Sequence, residues 1–435
     1  MLAVAFAACA GGGSTTASSN AGGGPPGAGV APVSTPTPVT QPSTIPSATP
    51  SATPTPGPSA APANAAIRAP QGFLVSHIAT VGGARELAAL PNGDLIVGTL
   101  GSSIAIVPNA ESAGAAGTPA TFATLPDSPA QGVAFGAGFV FVATQHGVYR
   151  IAYTAGAQSG TPAKIASVRT GAIAPNSDGD VHTTSSVGVS GSTLYVGVGS
   201  SCNACAEVDP TRATVQRMAI DGTGMTTQAT RLRNAIAVAT DPSTGTVWAG
   251  GAGQDNLPSG HPYEFMDPVA SHAAPADYGW PVCEENHVAY TSGANCSAVV
   301  APALEFPAYS TIIGAAFYPA SQGGAYAFPA SWHGGLFVGM HGSWHSNGPI
   351  PIDPPHVAFV PFSGSAPATA VNWSNPSAQW NDFLTGFQTS SGSRVARVTG
   401  VAVGSQGSLF VADDQNGWIL RIRPSSTATS AVHRR

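Results

Sequence analysis

Hydrophobic residues fall along this chain in short runs separated by glycine-bearing turns, and the unit repeats. From about residue 66 onward an apolar run meets a Gly or Asn-Gly turn, then a second apolar run that ends in a polar or Gly-rich loop. The copies run from Glu86 to Gly98, from Gly132 to Ala143, from Val187 to Val198 and from Ala235 to Ala249. A looser copy joins Gly314–Tyr318 to Gly335–Gly339, and the last runs from Gly400 to Ala412. Each copy reads as a β-hairpin, because short β-prone runs around a glycine turn are what a tight antiparallel return needs. Six such hairpins predict an all-β fold, a six-bladed β-propeller over residues 66–424, in preference to a β-sandwich or an irregular sheet protein. The longer spacings around 250–310 and 340–395 predict loops at one end of the ring, where a propeller builds its site.

Composition supports this picture. Charged residues are only 8% of the chain, with 53 glycines and 39 prolines, which argues against a helical bundle. A net charge of −6 without a basic run gives no sign of a nucleic-acid partner.

The first residues form a short apolar run, Met1 to Ala8, that ends at Cys9. Small residues before a cysteine resemble the end of a bacterial lipoprotein signal, although Phe6 stands where leucine is usual. Residues 1–9 are therefore expected to be a signal remnant with a lipidated Cys9. Residues 10–65 are almost wholly Gly, Ser, Thr, Ala and Pro, and cannot bury enough apolar surface to offset chain entropy. They are expected to be a disordered linker, and 425–435 a flexible tail. This places the protein in the periplasm or on the cell surface, held to a bacterial membrane by its lipid anchor alone or secreted.

Of the five cysteines, Cys9 is set aside for lipid. Cys202 with Cys205, and Cys283 with Cys296, are expected as two local disulfides suited to an oxidising compartment. A zinc or redox motif is the rival reading of Cys202-Asn-Ala-Cys205, but no second CxxC pair is present to complete a zinc site.

Four stretches carry candidate chemistry: Asp180-Val-His182, Arg231-Leu-Arg233-Asn234, Asp277-Tyr-Gly-Trp-Pro-Val-Cys283 and His341-Gly-Ser-Trp344-His345. Taken singly, His182 reads more readily as structural and Arg233 as half of a surface ion pair. Their order says more. Val198-Gly-Ser-Ser-Cys-Asn-Ala-Cys205, Arg233-Asn234, Tyr278-Gly-Trp-Pro281, His341-Gly-Ser-Trp344 and Gly407-Ser-Leu-Phe-Val-Ala-Asp-Asp414 together resemble the sorbosone and glucose dehydrogenases dependent on pyrroloquinoline quinone (PQQ). The resemblance covers residues 80–424.

The resemblance implies a six-bladed propeller with the quinone on its axis, beside a calcium ion. It implies His182 as the base that takes the substrate hydroxyl proton while hydride leaves carbon. Arg233, Asn234, Arg397 and His356 match cofactor-contacting positions, and the backbone carbonyls of Gly253 and Gln254 are the candidate calcium ligands. Asp255 matches an acidic position expected to brace that loop. The implied partners are a small sugar or aldehyde and a respiratory electron acceptor, a cytochrome or quinone.

The chain departs from the family pattern at several positions. His345-Ser346 stands for Asn-Arg, His356 for a lysine, Tyr309 for a histidine and Val398 for a proline. These changes thin the positive charge expected around the cofactor. Two alternatives therefore stand beside the dehydrogenase: a non-catalytic envelope propeller that binds carbohydrate or protein, and a lactonase-type hydrolase.

Overall fold

Residues near the two ends of the repeat region share one sheet. Strand Phe73–Thr80 pairs antiparallel with Trp418–Pro424, with Leu74 opposite Arg423 and Ser76 opposite Arg421. The computed structural model describes residues 61–175, 179–257, 260–284, 286–345 and 350–425, all within one compact unit. The calls on Cys9, on Ser346, on 426–435 and on most of 10–65 lie outside the described residues. Backbone pairing begins at Ala61 and Pro62, opposite His77 and Ser76, so the sheet starts a few residues earlier than the sequence reading placed it.

Six sheets of four or five strands form the ring. Their innermost strands are Ala84–Ala89, Gly132–Gly136, Ser185–Ser190, Ala237–Thr240, Ile312–Phe317 and Val398–Val403, defining blades 1 to 6. Each pairs with the strand that follows it in its hairpin: Leu95–Thr99, Phe139–Ala143, Thr193–Val198, Val247–Gly251, Leu336–Met340 and Leu409–Asp413. These are the six hairpins read from the sequence. Each inner strand touches the next in order, and Val398–Val403 touches Ala84–Ala89, which closes the six-bladed propeller. No α-helix occurs among the described residues.

Turn chemistry fixes the registers. Ala137 and Gly138 both adopt positive φ, at 49° and 80°, the two-residue turn that suits the right-handed twist of a hairpin. A second device recurs on the second strands. A methyl group at Gly98 would overlap the Gln131 carbonyl oxygen, one at Gly197 that of Ala235, and one at Gly339 that of Thr399. In each case the glycine lets the next blade approach this close. The core lies between the sheets, where Ile96 and Ile106 of blade 1 meet Val142 and Tyr149 of blade 2. Phe337, Phe359, Leu409 and Val411 do the same between blades 5 and 6.

The inner strands surround a central channel of about 280 Å³ whose wall includes Ala88, Ala134, Gly188, Val238, Ala316 and Ala402. Among the described residues, Glu86 is its only ionisable lining residue.

Candidate functional site

The start of each inner strand lies beside the end of its hairpin partner: Ala84 faces Thr99, Gly132 faces Ala143, Ser185 faces Val198 and Ala237 faces Gly250. Ile312 likewise faces Met340, and Val398 faces Asp413. Segments before inner strands and after second strands therefore gather at one end of the ring. His182, Arg233, Asn234, His341 and Arg397 all belong to such segments.

His182 is half-buried before blade 3. Its Nδ1 lies 3.1 Å from the Ser200 carbonyl oxygen and 2.9 Å from Ser200 Oγ. Ser200 Oγ donates its own hydrogen to the Cys202 carbonyl at 2.7 Å. Both Ser200 oxygens therefore act as acceptors, Nδ1 carries the proton, and Nε2 is left as a bare acceptor. Burial, and then the nearby Arg233 charge, hold the His182 pKa well below its usual value. Neutral imidazole is the resting state. Gly199 is what lets Asn234 come near: a methyl group there would meet both His182 Cβ and Asn234 Oδ1. Arg212 fixes the segment from behind by pairing with Asp180 and donating to the Ser200 carbonyl at 2.8 Å.

Arg233 is 6% exposed and ties two loops together. It donates to the Asn203 carbonyl at 3.0 Å and Asn203 Oδ1 at 2.9 Å, to the Gly253 carbonyl at 2.6 Å and to Asp255 at 3.1 Å. Asn203 sits between Cys202 and Cys205, which are disulfide-bonded, as are Cys283 and Cys296. Trp280 Nε1 also donates to the Asn203 carbonyl, at 3.1 Å. Asp255 takes a further bond from the exposed Trp344, so the blade 5 loop reaches across to the blade 4 loop.

Arg397 holds the other side of the ring opening, donating to the His341 and Gly342 carbonyls at 3.3 and 3.0 Å. Arg394 braces the same loop through the Ser343 carbonyl. Burial, and then Arg394, push the Arg397 pKa down to about 10, so it stays a cation. Behind it, burial drives His341 down to about 4, so its Nε2–H donates to Asp414 at 3.1 Å. Burial works against the Asp414 charge, but His341 and Arg85 outweigh it and hold the pKa at about 2. Arg85 pairs with Asp414 at 2.8 Å and with Gln131 Oε1 at 2.8 Å.

The structure thus gathers His182, Arg233 and Asn234 on the blade 3–4 side and sets Arg397 on the blade 5–6 side. Two sets of residues expected at the site make other contacts here. His356 faces outward: its Nδ1 bonds the Pro354 carbonyl at 2.8 Å, and its ring packs on Trp380 and nears Asp382 beside the outermost strand of blade 5. It starts the third strand, whose side chains here meet the outer strand and not the axis. The Gly253 carbonyl already accepts from Arg233, and a cation ligated there would sit against a guanidinium. Gln254 uses its side chain on the Pro281 carbonyl and on Glu284.

One residue escaped the sequence reading. Arg169, 3% exposed, donates an Nη2–H to the Thr184 carbonyl, while its Nε and Nη1 are buried with no partner. Its charge reaches His182. It lies in a motif-free loop and enters by a left-handed backbone turn at φ 51°, so no spacing rule points to it.

Comparisons agree with this architecture. Residues 279–425 match the TrAA12-like family model. Many solved structures are similar, and three are described. The calcium structure of the Trichoderma reesei carbohydrate-active enzyme of family AA12 is 18% identical, with TM-score 0.66, covering 82% of this chain and 97% of that one. The holo PQQ domain of pyranose dehydrogenase from Coprinopsis cinerea is 17% identical, with TM-score 0.64 and the same coverage, 82% and 97%. The PQQ-bound aldose sugar dehydrogenase of Streptomyces coelicolor is 18% identical, with TM-score 0.55, covering 82% and 100%. At such identities the likeness establishes the fold. Among curated proteins no match is found.

Proposed function

We propose that this chain is an exported oxidoreductase that oxidises a sugar or a related aldehyde or alcohol, with PQQ as its redox cofactor. One observation carries the reading: a neutral histidine with its Nε2 bare, at the arginine-lined end of a propeller ring. The similar structures that hold PQQ, and the TrAA12-like match, support the same reading.

The residues present suit an anionic, planar group. Arg169 offers two buried nitrogens without partners, and Arg397 adds a cation across the opening. Asn234 adds an amide donor beside Gly199. Arg233 reaches an incoming carboxylate only by giving up one of its present bonds, so its first role is to shape the 203 and 252–255 loops. Calcium enters the reading through a similar structure; the Gly253 carbonyl accepts from Arg233 here, and we assign calcium no step.

When bound, PQQ supplies the acceptor for the substrate's hydride. His182 Nε2 takes the hydroxyl proton, with Ser200 holding the ring by Nδ1–H. A base within hydrogen-bond reach makes carbon a better hydride donor. Arg233 disfavours the charged imidazole and so speeds its return to the neutral form. Electrons pass on to a respiratory acceptor, a cytochrome or quinone, and Cys9 lipidation would place this chemistry at the bacterial envelope.

The test is to load purified protein with PQQ and calcium and follow dye reduction by a panel of aldoses. Dye reduction lost in His182→Ala supports the proposal. No cofactor spectrum on mixing, together with no dye reduction, refutes it.

A further inference from the structure

The disulfide between Cys202 and Cys205 closes a short loop, and two adjacent residues of that loop hold His182 and Arg233. The Cys202 carbonyl accepts from Ser200 Oγ at 2.7 Å, and that bond leaves Ser200 Oγ to accept from His182 Nδ1 at 2.9 Å. Asn203, the next residue, accepts from Arg233 at its carbonyl and at its Oδ1. Its carbonyl also accepts from Trp280. Its Oδ1 also takes the Asp255 amide at 2.8 Å, and its Nδ2 donates to the Asp255 carbonyl at 3.1 Å. One small covalent loop thus fixes both the imidazole orientation and the guanidinium.

This disulfide differs from the other in reach and in access. Its cysteines are 3 apart in sequence, against 13 for Cys283 and Cys296, so it restricts the unfolded chain less. Its effect is local. Cys205 is half-buried and lines a cleft of about 480 Å³ together with Glu207, Arg212, Arg231 and Trp280. Cys202 lies beneath it, 2% exposed, against Ala213 and Trp280. Cys283 and Cys296 are 2% and 6% exposed, and neither lines this cleft. A Glu207 carboxylate oxygen lies within 4.8 Å of the sulfurs of both Cys202 and Cys205.

We infer that Cys202–Cys205 is a site of thiol–disulfide exchange for a dithiol, entered at Cys205 through this cleft, and that opening it releases the hold on His182 and Arg233. An incoming thiolate bonds Cys205 Sγ, the S–S bond breaks, and Cys202 leaves with the electron pair. The second sulfur of the dithiol then displaces Cys205 and closes a disulfide of its own. Two electrons and two protons pass from the dithiol to the protein. The neighbouring Glu207 charge disfavours a lasting thiolate, so both freed sulfurs end as thiols. With the link gone, Ser200, Arg233 and Trp280 each lose a fixed acceptor. The charged groups near His182 are Arg233, then Arg169 and Arg212, so a displaced Arg233 removes the foremost of them. The exchange itself is independent of the proposed oxidation, and only its effect on turnover rests on that reading.

The experiment uses the full chain, free of cofactor. Dithiothreitol, then iodoacetamide and peptide mass spectrometry, should label Cys202 and Cys205 while Cys283 and Cys296 stay joined. Histidine NMR, with His182 assigned through His182→Gln, should show its lowered pKa rising toward the ordinary value on reduction and falling back on reoxidation, at a nearly constant melting temperature. Cys202→Ser combined with Cys205→Ser should copy the reduced protein. Asn203→Ala, which leaves the disulfide in place, should give part of the same rise. In the loaded enzyme the double serine variant should lower kcat/KM about tenfold, the worth of one or two hydrogen bonds. Both disulfides opening together, or neither opening, overturns the exchange site. An unchanged His182 titration after reduction, or reduction that melts the fold, overturns the hold on the site. Wild type that oxidises no aldose refutes the dehydrogenase reading instead, and is told apart because labelling and NMR do not depend on turnover.

Discussion

Trp344 donates its indole Nε1–H to Asp255 Oδ1 at 3.2 Å, and so ties the loop after the fifth hairpin to the loop after the fourth. The same carboxylate accepts from Arg233 through Oδ2. One acidic side chain thus couples an exposed aromatic at the mouth to the guanidinium beside His182. Trp344→Phe keeps a ring and removes the bond. It should weaken cofactor binding about fivefold, the worth of roughly 1 kcal/mol for one hydrogen bond, with little change in melting temperature. Fluorescence titration with PQQ measures it.

His182→Asn should lower kcat/KM by about 10²–10⁴, the usual contribution of a positioned base, while cofactor still binds. The pH profile carries a sign. The folded pKa of His182 is lowered, so the base is ready at neutral pH and is lost only as pH falls through that lowered value. Wild-type kcat/KM should stay level through the ordinary histidine range. A drop centred there would contradict the assignment.

Stability should follow the same logic at His341. Its pKa is held at about 4, so below the ordinary value of 6.5 the unfolded chain binds a proton that the folded chain refuses. Its contribution is full above pH 6.5 and lost as pH falls toward 4. Glu86 acts oppositely in sense. Its contribution is full below pH 4.5 and declines as pH rises toward 8. Glu86→Gln should therefore gain on wild type in melting temperature as pH moves from 5 to 9, which calorimetry across that range will show.

His356→Ala should leave PQQ affinity unchanged, because the ring faces Trp380 and the outermost strand. It should lower stability by about 1–3 kcal/mol, since a buried, partly hydrogen-bonded side chain is removed. Urea unfolding beside a PQQ titration separates the two effects. A loss of affinity without a loss of stability would restore the cofactor role expected from sequence.

Gly197→Ala should cost about 2–4 kcal/mol or prevent folding, because the methyl group overlaps the Ala235 carbonyl of the next blade. Gly82→Ala is the control: nothing lies within 4 Å of the added carbon, so it should change stability by less than about 0.5 kcal/mol.

The propeller was legible because a hairpin is a local event. Period-two apolar runs around a glycine turn, such as Val133 to Val142, carry their own evidence, and all six inner hairpins sit where that pattern placed them. The strand Phe73–Thr80 was not legible, since its partner lies at the other end of the chain and no local turn announces the pairing. The site divides in the same way. His182 and Arg233 stand in motifs next to inner strands, so sequence placed them at the ring opening. His356 packs on Trp380 in this structure, a contact that a matching position alone does not reveal. Arg169 was missed because its relation to Thr184 and His182 exists only after blades 2 and 3 pack. Glu86 lies inside a hairpin that was read, but its burial and its contact with Ser186 exist only once the blades have packed.

That late pairing has a consequence for biogenesis. Strand Phe73–Thr80 leaves the ribosome early and, beyond its short pairing with Ala61–Pro62, has no sheet to join until Trp418–Pro424 follows. The nascent polypeptide must remain an open arc through nearly all of its translation, with the edge of that strand exposed. Any product that stops short of the closing strand leaves the arc unsealed and that edge unpaired, an invitation to edge-to-edge association.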